Sequence, residues 1–125
     1  PPVDRIARTL VGERGFSHRV DVIATNFLET PLPLGYDVHL FSNVLHDWDV
    51  AEVKRLLMAS YASLPLGGML VIHDAFINAT KDGPIAVAEY SALLMHASQG
   101  KCYAVSEYHQ LLVSVGFVNL TFEHT

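Results

Sequence analysis

Ser42-Asn43-Val44-Leu45-His46-Asp47-Trp48-Asp49 joins an apolar run, YDVHLF at residues 36–41, to a stretch at 50–64 whose apolar residues recur at helical spacing. The first reads as a buried strand over residues 36–43, the second as an amphipathic helix. A strand that passes through a polar turn into a helix is the repeating unit of an α/β sheet. Ligands usually bind at the carboxyl end of such strands. His46 lies there beside Asp47, Trp48 and Asp49, which suggests a base with an aromatic wall next to it. On the residues alone, His46 is equally a polar group flanking a helix.

Downstream, Asp49 and Glu52 have the spacing of a capping box with a carboxylate at the cap. Val53, Leu56, Leu57, Tyr61 and Leu64 then line one helical face, Pro65 stops the helix, and Gly67-Gly68 turns the chain. Residues 69–73 (MLVIH) form a strand, 78–84 a polar loop and 85–97 a helix without a breaker. Residues 99–103 form a loop, 106–115 a helix ending at Gly116, and 117–122 a last strand. Upstream, the loop at 26–35 contains Pro31 and Pro33, and the alternating RVDVIAT at 19–25 reads as a strand. Val3, Ile6, Leu10 and Val11 fall at helical spacing, and Gly12 and Gly15 allow that helix to stop. The order is helix-β-β-α-β-α-α-β in one domain, residues 1–125. It predicts a mostly parallel sheet covered on both faces.

Half of the 125 residues are hydrophobic, enough for a sizeable core, and the formal net charge is −5. No basic cluster occurs, which argues against nucleic acid or an anionic membrane surface as a partner. No apolar run is long enough to span a membrane. The single cysteine, Cys102, excludes an internal disulfide and fits a reducing compartment such as the cytoplasm. The seven histidines form no His-x-x-x-His pair and no Cys/His knuckle, so no metal site is expected. The chain opens on Pro1-Pro2 rather than methionine, as a cut inside a larger protein would.

The NVLHDWD block at 43–49, the LPLGG turn at 64–68 leading into a strand, and YHQLLVSVGF at 108–117 together resemble one family. It is the S-adenosylmethionine-dependent small-molecule O-methyltransferases, of the caffeate, acetylserotonin and hydroxyneurosporene type, and specifically their C-terminal catalytic domain. The resemblance implies a Rossmann-like class I methyltransferase sandwich, here incomplete. The two central cofactor-binding strands with their glycine-rich turn, and the final strand, are expected outside the chain. So is an N-terminal helical domain that makes the intact protein a homodimer.

The same resemblance implies methyl transfer from S-adenosylmethionine to a hydroxyl of a small aromatic or polyketide-like molecule. Its general base maps onto His46. A phenol-like hydroxyl must lose its proton as it attacks the sulfonium methyl, a transfer that suits an imidazole. The family's acid after the next strand maps onto Asp74, to orient the imidazole, with a turn residue after a strand as the slightly weaker reading of that position. Asn26 and Phe27 stand where relatives recognise adenine, Asn26 keeping a carbonyl acceptor but lacking the usual charge. Ser42 maps to the cofactor's amino-acid end. Trp48 either lines the adenine pocket or is simply packed. Met95 and His96, with Tyr90, lie on a helix that faces substrate in relatives, and methionine at helical spacing is also ordinary core.

Two departures stand out. Cys102 occupies the place of a second acid near the base, leaving His46 one acidic neighbour. Ala104 replaces the hydroxyl that caps the next helix, a loss of roughly 0.5–2 kcal/mol unless Ser106 takes over. Together with Asn26 in place of the expected acid, these departures give the alternative its basis: a methyltransferase-fold protein that is non-catalytic or repurposed. The piece alone, lacking most of the methyl donor's site, is expected to be inactive.

Overall fold

The computed structural model describes residues 2–123, which divide into two compact units on either side of the Thr30–Pro31 junction. The first contains helix α1 (Pro2–Glu13), whose Val3, Ile6 and Leu10 are exposed. Residues 19–25, expected as a strand, are irregular. Alternation alone does not make a strand; the backbone must pair in a ladder, and no strand partner for this segment occurs among the described residues.

The second unit is built on two parallel strands, β1 (Val38–Ser42) and β2 (Met69–His73), in the register Val38↔Met69 through Ser42↔His73. They are linked by α2 (Val50–Ser63), and α3 (Ile85–Ala97) and α4 (Val105–Val115) follow. Helix α2 begins as its sequence requires: Asp49 Oδ1 accepts the Glu52 N–H at 2.9 Å. It buries Val53, Leu56 and Leu57. Its Ser60 holds the half-buried His39 of β1, with Oγ 2.9 Å from Nδ1. Burial lowers the His39 pKa from its ordinary value.

The sheet departs from the expected layering. Val38, Leu40 and Met69 are exposed, so among the described residues it is not covered on both faces. Residues 117–122 form no strand either. Gly116, at φ 118°, ends α4 with its N–H shared between the Leu112 and Val113 carbonyls, and Phe117 N–H returns to Leu112 O. Phe117 then packs edge-on to Tyr61, at 5.2 Å between ring centroids. The observed order is α-β-α-β-α-α, an α/β arrangement with a short 3₁₀ turn (Leu45–Asp47) after β1.

A compact cluster of Ile77, Leu94, Cys102 and Ala104 lies between α3 and the start of α4, with Ala75, Val87 and Ala88 packed on it. Ala104 caps α4 without a side-chain bond, and Ser106 lies inside the helix, so it does not replace the missing hydroxyl. Glu107 supplies one half of a capping box instead, its Oε2 accepting the Ala104 N–H at 2.8 Å. Burial alone would raise the Glu107 pKa. The Ala104 N–H and the ammonium groups of Lys81 and Lys101 outweigh it and bring the carboxyl down to about 2.

Candidate active site

The register of the two strands positions the site. Ser42 pairs with His73, and Asn43 N–H adds one further bond to His73 O at 2.9 Å. Asn43 then takes the left-handed conformation, φ 52°, which asparagine tolerates better than most residues. The chain turns out of the sheet there and closes into the 3₁₀ turn that carries His46. Asp74 is the first residue beyond the paired end of β2, so adjacent strand ends deliver both groups to one place.

His46 Nδ1 lies 2.5 Å from Asp74 Oδ1. The His46 side chain is 5% exposed and that of Asp74 2%. Asp74 Oδ1 also accepts the Ala75 N–H at 2.8 Å, which fixes the carboxylate against its own backbone. The carboxylate is an acceptor only, so Nδ1 carries the hydrogen; in the neutral ring Nε2 then holds the lone pair. Tyr90 Oη, from α3, lies 3.2 Å from Nε2, and against the neutral ring its hydroxyl is the donor. The two rings meet edge to face, 5.5 Å between centroids and 87° between planes. Asp47 Oδ1, at 3.7 Å from Nε2, is beyond hydrogen-bond distance.

The loop between α3 and α4 clamps the turn that bears His46. Gln99 N–H donates to Asp47 O at 3.2 Å, and Tyr103 O–H to Trp48 O at 2.7 Å. Between them Gly100 lies so close that a Cβ there would come 2.0 Å from His46 O and 2.6 Å from Trp48 N. Tyr103 is fully buried; burial first, then the charges of Asp49 and Glu107, push its hydroxyl up to about 12, so it stays a donor.

Cys102, in the position of the expected second acid, is 1% exposed. Its N–H is held by Ser91 Oγ at 3.0 Å. Burial, then the nearby charge of Asp74, push its thiol up, which keeps it protonated and a poor nucleophile. Among the described residues no group of three or more His, Cys, Asp or Glu could hold a metal ion. Nor is any helix among them long and apolar enough to cross a membrane.

The remaining candidates are placed as follows. Ser42 is exposed at the carboxyl end of β1, its Oγ 3.0 Å from His73 Nδ1. Trp48 is half-buried and follows the His46 turn directly. Asn26 and Phe27 belong to the first unit, where Asn26 Oδ1 accepts the Leu28 N–H at 3.3 Å. Met95 is exposed and lines an open depression of about 250 Å³ with Asp49, Gln99, Gly100 and Lys101. His96 turns back on its own helix, Nδ1 at 2.9 Å from Ala92 O. His46 and Asp74 are therefore brought into contact, whereas the bond that His96 makes is to its own helix. Tyr90 does meet the imidazole, and Gly100 and Tyr103 set the turn. Helical periodicity placed Tyr90 on α3 but carried no sign of the loop that brings α3 to the histidine.

The profile of the O-methyltransferase domain family matches residues 1–118. The 3-hydroxy-5-methyl-1-naphthoate 3-O-methyltransferase of Streptomyces sahachiroi is 32% identical over 116 residues, 93% of this chain and 34% of that enzyme. Human acetylserotonin O-methyltransferase is 28% identical over 107 residues, 86% of this chain and 31% of that protein. Among solved structures, an O-methyltransferase family 2 protein from Planctomyces limnophilus, in complex with apigenin, superposes with a TM-score of 0.86. It is 36% identical and matched over 92% of this chain and 34% of its own. The human N-acetylserotonin methyltransferase in complex with S-adenosylmethionine gives 0.82 at 26% identity, over 92% of this chain and 34% of its own. The chain thus spans about a third of the length of these relatives. With a match that runs through nearly all of its residues, the chain belongs to the O-methyltransferase family.

Proposed function

We propose that the protein transfers a methyl group from S-adenosylmethionine to a hydroxyl of a small aromatic or polyketide-like molecule, with His46 as general base. The observation that carries this reading is the buried Asp74–His46 pair. A carboxylate on Nδ1 leaves the other ring nitrogen to receive a proton. Support comes from relatives that methylate a naphthoate hydroxyl and acetylserotonin.

The chemistry of several residues fits the methyl donor. Ser42 offers an exposed hydroxyl at the carboxyl end of a parallel strand, where cofactors bind in such sheets. Trp48, in the same unit, offers an aromatic face. When bound, S-adenosylmethionine supplies an activated methyl, so the protein has to position and deprotonate the acceptor. His46 Nε2 takes the acceptor's proton as the oxygen becomes nucleophilic. Asp74 holds the ring in the required tautomer and stabilises the imidazolium that results. The clamp by Gln99, Gly100 and Tyr103 fixes the turn, and with it the distance over which the proton moves. The buried, protonated Cys102 takes no part. The domain is the catalytic portion of a Rossmann-like class I methyltransferase that works as a homodimer. Met95 and the open depression at the end of α3 would contact the far side of an acceptor, with His96 on the neighbouring helix face.

The test is transfer of isotopically labelled methyl from S-adenosylmethionine to a panel of hydroxylated aromatics, using the protein in its native length. Label should appear as a methyl ether on at least one acceptor. Tight S-adenosylmethionine binding with no transfer to any of them would favour a repurposed, non-catalytic protein.

A further inference from the structure

The acceptor nitrogen of His46 already has a partner. Tyr90 Oη is 3.2 Å from Nε2, and the tyrosine ring stands edge to face against the imidazole. His46 is 4% exposed and Tyr90 37%, so the phenol reaches from solvent to the buried ring. Partial burial first, then the negative charges of Asp47 and Asp74, push the Tyr90 hydroxyl up and keep it a donor. One lone pair cannot accept two hydrogens at once. An acceptor hydroxyl that is to surrender its proton at Nε2 has to take the place of the Tyr90 hydroxyl.

We propose that Tyr90 occupies the acceptor nitrogen of His46 until an incoming hydroxyl displaces it, so that Tyr90 sets acceptor affinity by competition. This rests on the reading of His46 as the base. On displacement the Tyr90 hydroxyl exchanges its bond to Nε2 for one to water, which its exposure permits. Acceptors that contribute an extended aromatic surface overcome the competition through contact area. Small alcohols, which contribute a hydroxyl and little else, do not. Tyr90 thus sets the intrinsic affinity that any acceptor must exceed and transfers no proton itself.

The test is Tyr90→Phe in the protein of native length, which keeps the ring and removes the competing hydroxyl. KM for the acceptor is expected to fall about three- to tenfold, the equivalent of one hydrogen bond, with kcat unchanged within about twofold. The gain should be the same factor for small and large acceptors, because the hold of Tyr90 on Nε2 does not depend on which acceptor displaces it. Nitrogen-15 spectra of histidine-labelled, substrate-free protein give a readout that needs no turnover: the His46 Nε2 resonance should move in Tyr90→Phe, because the lone pair has lost its donor. An unmoved resonance would overturn the proposal, as would an acceptor KM that stays the same or rises. A lower kcat at unchanged KM would place Tyr90 in the transfer step and overturn it too. Absence of methyl transfer in the wild type would count against His46 as a methyltransferase base, while the resonance would still decide whether Tyr90 holds Nε2.

Discussion

Gly100→Ala should damage both stability and the proposed chemistry, although it adds a single methyl group. The new Cβ would lie 2.0 Å from His46 O, 2.6 Å from Trp48 N and 2.7 Å from the Asp47 carbonyl carbon. All three are backbone atoms of the turn that carries His46, so no flexible side chain can swing aside. Relief requires the loop or the turn to retreat by about 1 Å or more, since non-bonded carbon contacts settle near 3.5 Å or beyond. Overpacking of this kind costs about 1–3 kcal/mol. Retreat also weakens the Gln99 N–H···O=C bond to Asp47 and the Tyr103 O–H···O=C bond to Trp48. Each is worth about 1 kcal/mol net, so loss of both brings the total to roughly 3–5 kcal/mol. A misplacement of about 1 Å at a catalytic group can lower turnover about 10²-fold, even in the molecules that remain folded. The assay is the denaturation midpoint, with methyl transfer measured where the variant is still folded. Gly12→Ala is the control: its Cβ would meet nothing closer than Ser17 Oγ at 3.8 Å, and alanine favours the helix it would join. A Gly100→Ala protein as stable and as active as Gly12→Ala would refute the clamp.

Asp74→Asn should lower kcat about 10²-fold or more with little change in acceptor KM, because an amide no longer dictates which imidazole nitrogen carries the hydrogen; steady-state kinetics would show this. Glu107 yields a pH effect of definite sign. Its folded pKa, about 2, lies below the ordinary 4.5, so its contribution is complete above 4.5 and is lost as pH falls from there towards 2. After discounting for solvent screening of its partly exposed lysine partners, that contribution is about 1–2 kcal/mol. The gap in denaturation midpoint between wild type and Glu107→Gln should therefore be present at neutral pH and shrink at acid pH. A gap that widens on acidification would contradict the assignment.

The local signals that were legible in the sequence were those whose physics is local. Asp49 and Glu52 announce a helix start, and the cap bond forms. Residues 69–73 read as a strand, and Met69–His73 is one. Pairing residues 46 and 74 drew on family resemblance as well as local pattern. The parallel register that ends with Ser42 beside His73 shows why they meet. The segments at 19–25 and 117–122 failed as strands for the opposite reason. Their strand-like composition is a property of the segment, but a strand is a property of two segments, and among the described residues neither has a partner. The role of Gly100 could not be read from composition or period either. It depends on a contact between residues far apart along the chain, where the absence of a side chain is what matters. Tyr90 lay on a helix whose apolar residues gave no single preferred face, so which side chain meets His46 is decided by tertiary packing.

The most direct test of the central claim is His46→Ala in the protein of native length, measuring S-adenosylmethionine binding by calorimetry and methyl transfer under single-turnover conditions. Removal of the base should leave the cofactor's affinity within about threefold of wild type and lower the transfer rate by about 10²-fold or more. Transfer within about tenfold of wild type, with the cofactor bound normally, would contradict the assignment of His46 as the group that takes the proton.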